Sequence, residues 1–387
     1  MTATSVHVDH VGSLLRPAEL KEQRFKLLGV HDADHNLGAH TNAELRKIED
    51  RHIREVVKFQ EACGLPVVTD GDFRRRSWWT DFLLSFTGLS ISYDGKTPIT
   101  LINAAGEKRP IAGIKVNGKI TSRDSGATAS FKFLKSITDR VAKVTIPGPP
   151  IVHFLRDADF VPTVYADIDA FWHDLIAAYR AEIRKLADAG CRYVQIDECM
   201  LPYLCDDRHR EMSKSRGDDP DKLIETYALS INEVVADKPK DMTVAVHMCR
   251  GNMNAFWGAA GGYEPIAEIS FNIPNVNMFL LEYDTPRAGD FTPLRHAGKD
   301  KKILLGIIST KDPRLEGRDD IKRRIDDAAK HIDVEQLGLC PQCGFSTNVF
   351  GTEFTVDDER RKIERMVDIS REVWGTSLGV DRAAARP

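Results

Sequence analysis

Short apolar runs recur along the whole chain, and most of them end in residues that carry chemistry. A parallel strand that is buried on both faces reads as a continuous apolar run rather than as an alternation of apolar and polar residues. The 387-residue sequence contains eight such runs, at 7–13, 66–71, 143–148, 193–198, 243–249, 277–284, 302–309 and 337–344. This repetition constrains the fold more than any other feature of the sequence.

The segments between these runs have the apolar spacing of helices. One helix face is predicted at Ile168, Phe171, Leu175, Tyr179, Ile183 and Leu186, with Gly190 as its C-cap. Further helices are predicted over 221–235, 319–332 and 356–373. Strands that alternate with helices over this length predict an α/β fold, the (β/α)8 TIM barrel. An open doubly wound sheet is the alternative, but its usual glycine-rich phosphate loop does not follow the first run.

Roughly 70 residues separate the second and third runs and break this rhythm. Short β-prone segments alternate there with the turn signals DGK at 94–96, AGEK at 105–108 and NGK at 117–119. This pattern predicts an antiparallel β-hairpin insertion at about 84–142, between the second and third strands and over the barrel mouth. We expect a single catalytic barrel domain over 1–387, with a frayed tail at 379–387.

Charge and cysteine usage exclude several classes of partner. The sequence has 54 basic and 58 acidic side chains, a net charge of −4 and no basic block, so we expect no nucleic-acid partner. No apolar run is long enough to cross a membrane, and the first residues lack a secretory signal. Seven scattered cysteines, an odd number, favour reduced thiols in the cytoplasm. The oligomeric state is left open, a homo-oligomer included.

Three of the predicted strands end in residues that bind metals. The fifth ends in His247 and Cys249, the sixth in Glu282, and the eighth in Cys343. In a barrel the carboxyl ends of the strands meet at one face, and alternation puts His247 and Cys249 on the same side. Imidazole, thiolate and carboxylate together suit zinc. Each motif alone has an ordinary alternative: a buried HxC strand, or a CxxC redox pair. Their convergence favours a zinc site.

The cysteines differ in their suitability as ligands. Cys340 and Cys343 are three positions apart and face opposite ways in an extended strand, so we expect only Cys343 to reach the centre and Cys340 to pack outside it. Cys199, beyond the fourth strand, is a reserve ligand. The remaining cysteines, Cys63, Cys191 and Cys205, are predicted to be structural.

The ligand set indicates the kind of chemistry. Two thiolates already neutralise a zinc dication, which makes it a poor Lewis acid for hydrolysis. A substrate thiol that replaces the carboxylate would bind as an electron-rich thiolate. The residues therefore predict alkylation of a small thiol.

A second group of residues could bind the polar end of an amino acid. Gly12 and Ser13 end the first strand, Asp72 follows the second, and Asp197 ends the fourth. Carboxylates would bind the ammonium group, while Ser13 and backbone amides would bind the carboxylate. The alternative is that these acids only cap the helices that follow.

These motifs together resemble the catalytic domain of the cobalamin-independent methionine synthase superfamily. The matching pieces, in family order over about residues 8 to 350, are VGS at 11–13, Gly71-Asp72, PGP at 147–149, QIDE at 195–198, HMC at 247–249, LLEYD at 280–284 and CGFST at 343–347. The resemblance implies zinc bound by His247, Cys249, Glu282 and Cys343. It also implies an amino-acid thiol held by Ser13, Asp72 and Asp197.

The chain is long enough for one barrel, so it is most similar to the short branch with core methionine synthases and epoxyalkane:coenzyme M transferases. Asp72 stands where the long enzymes carry a glutamate. Lys311 aligns with a histidine that is thought to donate a proton in those enzymes. The first hypothesis is zinc-dependent methyl transfer to homocysteine, with Lys311 or Asp284 protonating the leaving group.

Two other hypotheses remain open. One is the opening of an epoxide by a sulfonated thiol, whose sulfonate would be bound by an arginine near the mouth, Arg16, Arg74 or Arg250. The other is a non-catalytic zinc or redox module that uses Cys340 and Cys343.

Overall fold

Parallel strands form the centre of the computed structural model, which describes residues 6–29, 42–92, 99–156, 159–161 and 163–375. Numbered in chain order, the strands are β1 (Val67–Val68), β2 (Leu89–Ser92), β3 (Thr100–Ile102), β4 (Lys108–Pro110), β5 (Gly113–Val116), β6 (Val141–Ala142), β7 (Val144–Pro147), β8 (Tyr193–Asp197), β9 (Thr243–Met248), β10 (Met278–Glu282), β11 (Lys302–Ile308) and β12 (Leu337–Pro341). Six of them pair in the order β12-β11-β10-β9-β8-β7, and β1 pairs in parallel with β6. The fold is α/β and TIM-barrel-like, and strands that follow one another in the sequence lie next to each other in the sheet.

The first apolar run, 7–13, forms less regular structure than predicted. It makes one parallel bridge, from Val8 to Leu339 of β12, rather than a ladder. Side chains take the place of ladder partners here: Thr69 Oγ1 donates to the Gly12 carbonyl at 2.6 Å, and Gln195 Nε2 donates to the Val11 carbonyl at 2.5 Å. The run therefore lies between β12 and the residues after β1, held by both.

Helices follow most of the strands. They span Ala18–Leu28, Ala43–Ala62, Thr80–Leu83, Ala127–Lys135, Pro150–Phe154, Ile168–Asp188, Met200–Tyr203, Asp207–Ser215, Pro220–Val234, Glu264–Ser270, Arg318–Ala329 and Val356–Trp374, with 3-10 turns at Pro286–Ala288, Thr292–His296 and Val334–Gln336. The predicted face of Ile168–Asp188 is confirmed from Phe171 to Leu186, all of it buried, while Ile168 itself is exposed. No helix among these combines the length and apolar composition needed to cross a membrane.

The segment 84–142 contains antiparallel pairs, β2 with β5 and β3 with β4. It also contains the helix Ala127–Lys135, which the sequence pattern did not predict. Ile102 of β3 bridges to Trp257 in the loop after β9, so the insertion reaches the carboxyl end of that strand. The turn signal at 94–96 and the tail at 379–387 lie outside the described residues.

A buried lysine connects the strands inside the sheet. Lys143 Nζ is fully buried and lies 2.9 Å from Asp9 Oδ2 and 2.9 Å from Gln195 Oε1. Because an ammonium group only donates, it forces the oxygen of the Gln195 amide to face it. The amide nitrogen is thereby directed to Asp197 Oδ1, at 2.7 Å. The ion pair thus orients a carboxylate at the end of β8.

Gly338 of β12 lies where the first run packs closely against the sheet, so a substitution there tests this packing. A Cβ atom there would lie 2.3 Å from Leu304 Cδ2 and 2.7 Å from the His7 carbonyl oxygen. We expect Gly338→Ala to lower the free energy of unfolding by about 1–3 kcal/mol, the usual cost of overpacking. Urea denaturation would measure it, with Gly262→Ala as control, since its Cβ would meet nothing closer than 3.5 Å. Equal losses in both variants would contradict this packing.

Candidate functional site

His247, Cys249 and Cys343 come together at the carboxyl ends of β9 and β12. Their ligand atoms all lie within 4.8 Å of one another, and all three residues are buried. The two sulfurs are 3.8 Å apart although the residues are 94 positions apart in sequence. This is the convergence that the sequence predicted for these three residues. Cys340 lies outside the group, as expected, in a small apolar cluster where its thiol donates to the Leu304 carbonyl.

The imidazole of His247 is oriented for binding a cation. Its Nδ1 lies 3.1 Å from the Leu280 carbonyl oxygen, which only accepts, so Nδ1 carries the proton. In the neutral ring, the form that binds a metal, Nε2 then carries the lone pair, and it is buried without a hydrogen-bond partner in the described structure. Burial lowers the pKa of His247, but the neighbouring Cys249 raises it overall. Metal-binding histidines usually donate their other N–H to a carbonyl in this way. The residues present thus fit a metal ion.

Cys249 receives several hydrogen bonds that favour its thiolate. Cys199 Sγ lies 3.3 Å from Cys249 Sγ, and Cys343 Sγ lies 3.8 Å from it. Hydrogen bonds from these two thiols, aided by His247, hold the pKa of the Cys249 thiol well below its usual range despite burial. Burial and the same hydrogen bonds raise the pKa of the two donor thiols. The cluster therefore favours the thiolate form of Cys249.

Glu282, the carboxylate predicted as the fourth ligand, is bound to other groups in this structure. Its Oε2 accepts from the Arg250 backbone amide at 2.6 Å and from Gln342 Nε2 at 3.1 Å. Its Oε1 accepts from Arg287 Nη2 at 2.6 Å and lies 3.5 Å from Lys311 Nζ. Although burial raises the pKa of Glu282, these cations lower it below its ordinary value. Glu282 lies outside the group of three ligand atoms.

The two residues predicted to protonate the leaving group lie beside Glu282. Lys311 Nζ is 3.4 Å from Asp284 Oδ2, which also accepts from Ser309 Oγ at 2.8 Å. Both residues are buried or nearly so, and neither lines the cavity that contains His247. Lys311 is thus a fixed cation between two carboxylates.

A small cavity joins the three candidate metal ligands to three of the predicted substrate-binding residues, Ser13, Asp72 and Asp197. Burial raises the pKa of Asp197 to about 7, while His247 and the Gln195 amide oppose the shift. Asp72 lies at φ +62, a left-handed conformation that is strained for a residue other than glycine. Desolvated carboxylates of this kind gain most from an incoming ammonium group.

Gly12 and Arg16, also predicted to bind substrate, do not line this cavity. Arg16 donates to the carbonyls of Ser346 at 2.6 Å and of Asp72 at 2.8 Å, so it holds the strained backbone at Asp72. A Cβ on Gly12 would lie 2.7 Å from Thr145 Cγ2, which makes its role one of packing. Arg16 was expected to face the ligand, but backbone carbonyls of loops distant in sequence bind it instead.

Sequence reasoning missed several residues of the site. Asn252 and Thr347 line the small cavity, and Thr347 Oγ1 donates to the Asn252 carbonyl at 2.7 Å. Asn252 lies three residues after the HMC motif and Thr347 is the last residue of CGFST, and these positions were the available signal. Glu198, next to Asp197, instead caps the helix Met200–Tyr203, accepting from the Met200 amide at 2.6 Å.

A larger cavity of about 310 Å³ adjoins the small one and shares Trp78 and Asn252 with it. Its other walls include Trp79, Met200 and Phe350, together with Leu101 and Pro110–Ala112 of the insertion. Among the described residues of this lining, Arg76 is the only cation. Trp78 and Trp79 therefore contribute to an apolar wall beside the three candidate ligands.

The chain matches the sequence profile of the cobalamin-independent synthase catalytic domain over residues 28–372. It belongs to this family. Family membership associates the chain with methyl transfer of the methionine synthase type. The matched segment includes every ligand residue of the cluster described above.

Two relatives of similar length match this chain over almost their whole length. YxjH and YxjG of Bacillus subtilis, both uncharacterised, are 38% and 36% identical over 368 residues, which cover 95% of this chain and 94% of each relative. A 5-methyltetrahydropteroyltriglutamate–homocysteine methyltransferase of Lactiplantibacillus plantarum is 22% identical over 87% of this chain, but the match spans only 39% of that enzyme.

Two solved structures of other proteins share the fold of this chain. A Listeria monocytogenes protein described as a candidate vitamin-B12 independent methionine synthase is 31% identical, with a TM-score of 0.72 over 97% of this chain and 100% of that one. A B12-independent methionine synthase of Shewanella sp. W3-18-1, solved with selenomethionine, shares the fold at 17% identity and a TM-score of 0.69, over 96% and 98% of the two chains.

Proposed function

We propose that this chain transfers a methyl or other alkyl group to the sulfur of homocysteine at a zinc centre held by His247, Cys249 and Cys343. The observation that carries the proposal is the buried, unpartnered Nε2 of His247 beside two cysteine sulfurs. One neutral imidazole and two thiolates match the ligand preference of zinc. Family membership supports methyl transfer as the reaction.

A zinc ion bound there would supply one function, keeping a substrate thiol ionised at neutral pH. The protein residues would neutralise the ion and orient its ligands. Cys249 and Cys343 would neutralise the dication, and the Leu280 carbonyl fixes the imidazole of His247. Glu282 as a fourth, displaceable ligand remains a prediction, because four other donors bind its carboxylate.

The polar end of the substrate would bind opposite the metal. Asp72 and Asp197 are buried in the same cavity, and burial raises the pKa of both carboxyls although Arg75 Nη1, 3.4 Å from Asp72 Oδ1, opposes the shift. A substrate ammonium group would add a second cation beside them. Ser13, which lines the same cavity, is the proposed partner of the substrate carboxylate. These groups favour an amino-acid thiol over a simple thiol.

In the sulfonated-thiol alternative, three arginines were candidates for binding the sulfonate, and all three are bound to other groups. Arg74 binds Glu49 and Asp50, and the Arg250 guanidinium binds the Gly261 carbonyl. Arg16 binds backbone carbonyls, and none of the three arginines lines the cavity that contains His247. The redox alternative loses its expected pair, since Cys340 lies in an apolar cluster outside the group that contains Cys343.

We propose that residues 1–387 form one catalytic domain, in which the first run completes an eight-stranded barrel. The bridge from Val8 to Leu339 and the hydrogen bond from the Leu14 amide to the Gly71 carbonyl, at 3.2 Å, support this closure. We assign the reaction to the cytoplasm, where free thiols persist.

Metal content tests the choice of ligands. We expect about one zinc ion per chain in the wild-type protein, lost in Cys249→Ser and Cys343→Ser because each removes a strong ligand. Cys340→Ser is the matched control and should keep the metal, since that thiol lies outside the cluster. Atomic absorption on dialysed protein measures it. Loss of zinc in the Cys340 variant with retention in the Cys343 variant would reverse the assignment.

The proposed ammonium site is tested by comparing two thiols. Asp197→Asn should weaken homocysteine binding by roughly tenfold or more, the effect of losing a charged hydrogen bond of about 1.5–3 kcal/mol. Binding of 4-mercaptobutanoate, which lacks the amino group, should change much less. Isothermal titration of the zinc-loaded variants gives both constants. An equal loss for both thiols would assign Asp197 to the fold alone.

The methyl donor is tested through Lys311. N-methyl folates have a poor leaving group that needs a positioned acid, and Lys311 is held instead as a cation by two carboxylates. We expect slow turnover with methyltetrahydrofolate and faster turnover with a methyl-corrinoid or an epoxide. Lys311→His should raise the folate-dependent rate by on the order of tenfold or more, since histidine suits general acid catalysis.

Lys311→Arg is the control for this experiment, because it keeps the charge and offers no proton near neutral pH. Steady-state rates with each donor at constant homocysteine provide the comparison. Efficient use of methyltetrahydrofolate by the wild type, unchanged in Lys311→His, would refute the donor preference and leave the metal centre unaffected.

A further inference from the structure

We propose that Arg75 is a positioning residue of the ammonium site, which together with Thr145 holds the Asp72 carboxylate in place to receive the amino group of the thiol substrate. The inference rests on the proposed function, in which Asp72 and Asp197 bind that amino group. Asp72 lines the small cavity, whereas Arg75 and Thr145 lie outside its described lining. Arg75 therefore acts on the substrate through Asp72 and not by contact with it.

The Arg75 guanidinium binds one residue of β7 with both of its terminal nitrogens. Nη1 donates to Thr145 Oγ1 at 3.0 Å, and Nη2 donates to the Thr145 carbonyl at 2.6 Å. Because a guanidinium is planar and its donors have a fixed spacing, two bonds to one residue fix its orientation. Nη1 also lies 3.4 Å from Asp72 Oδ1. The cation is thereby held beside the carboxylate.

Thr145 connects the cation to the carboxylate. Its hydroxyl accepts from Arg75 Nη1 and donates to Asp72 Oδ1 at 3.3 Å. A hydroxyl has a single proton, and here that proton is directed to the carboxylate while a lone pair binds the guanidinium. Both contacts reach the same oxygen of Asp72. Among the described residues none donates to the other oxygen, Oδ2, which is left for the incoming ammonium group.

The charges around Asp72 give Arg75 a larger effect than any other cation. Burial raises the pKa of the Asp72 carboxyl, and Arg75 is the strongest opposing charge. Asp70 adds to the rise. Arg16 opposes it too, but its guanidinium donates to the Asp72 carbonyl and not to the carboxylate. Loss of Arg75 would favour the neutral carboxyl, which attracts an ammonium group much less.

A comparison of two thiols on the full-length, zinc-loaded protein tests this role. Arg75→Met removes the cation and should weaken homocysteine binding by roughly tenfold, the effect expected for a charged hydrogen bond. Binding of 4-mercaptobutanoate, which has no amino group, should change little, whereas a purely structural loss would weaken both thiols. Arg75→Lys keeps the charge and should restore part of the preference for homocysteine. Isothermal titration measures each dissociation constant.

Arg180→Met is the matched control. Arg180 also binds one residue twice, donating to the Glu233 carbonyl at 2.7 Å and to its carboxylate at 2.6 Å, and it lines neither cavity of the site. Its loss should leave both constants unchanged. Thr145→Val removes the hydroxyl and should weaken homocysteine binding selectively, which tests the inference even if the Arg75 variant fails to fold. Circular dichroism checks the fold of each variant.

A double-mutant cycle tests whether Arg75 acts through Asp72. In an Asp72→Asn background, Arg75→Met should weaken homocysteine binding little further. Independent losses in the cycle, an equal loss for both thiols, or an unchanged preference in Arg75→Met would overturn the inference and leave the proposed function intact. A wild-type protein that binds both thiols equally would instead overturn the ammonium site itself, and the inference with it.

Discussion

The parallel hydrogen-bond register of the central sheet is the constraint on which the site depends. It sets Asp197 of β8 opposite His247 of β9, and His247 opposite Leu280 of β10. The strands therefore end at one level, and the side chains beyond them share a cavity. A slip of one residue in β9 would turn His247 to the other face of the sheet and remove it from the cluster.

Because the interior of this sheet is buried, its polar side chains need partners from within the protein. Lys143 is neutralised by Asp9 and orients Gln195, which in turn holds Asp197. Glu282 is held in the same way by surrounding donors. Several other buried polar atoms lack a partner, among them both ring nitrogens of His10, but the Nε2 of His247 lies beside two cysteine sulfurs. An unsatisfied buried polar atom costs about 1–3 kcal/mol, so its retention beside two thiols is consistent with a binding function.

Much of the architecture could be predicted because it depends on short-range periodicity. Buried strands were readable as apolar runs, and the helix Ile168–Asp188 as a repeating face. His247, Cys249 and Cys343 were readable because strand ends in a parallel barrel converge. The first run was harder, since side-chain donors such as Thr69 and Gln195 replace its ladder partners. Those donors come from other parts of the chain.

The sequence by itself determined the α/β alternation, the strand ends and the convergence of His247, Cys249 and Cys343, because local spacing and residue chemistry suffice for these. Only the tertiary structure decided the environment of each group. It bound Glu282 to Arg287 and Lys311, turned Arg16 toward backbone carbonyls, and brought Cys199 to 3.3 Å from Cys249. The physical reason is that hydrogen-bond saturation and contact distance depend on partners from distant loops, whose positions no local pattern encodes.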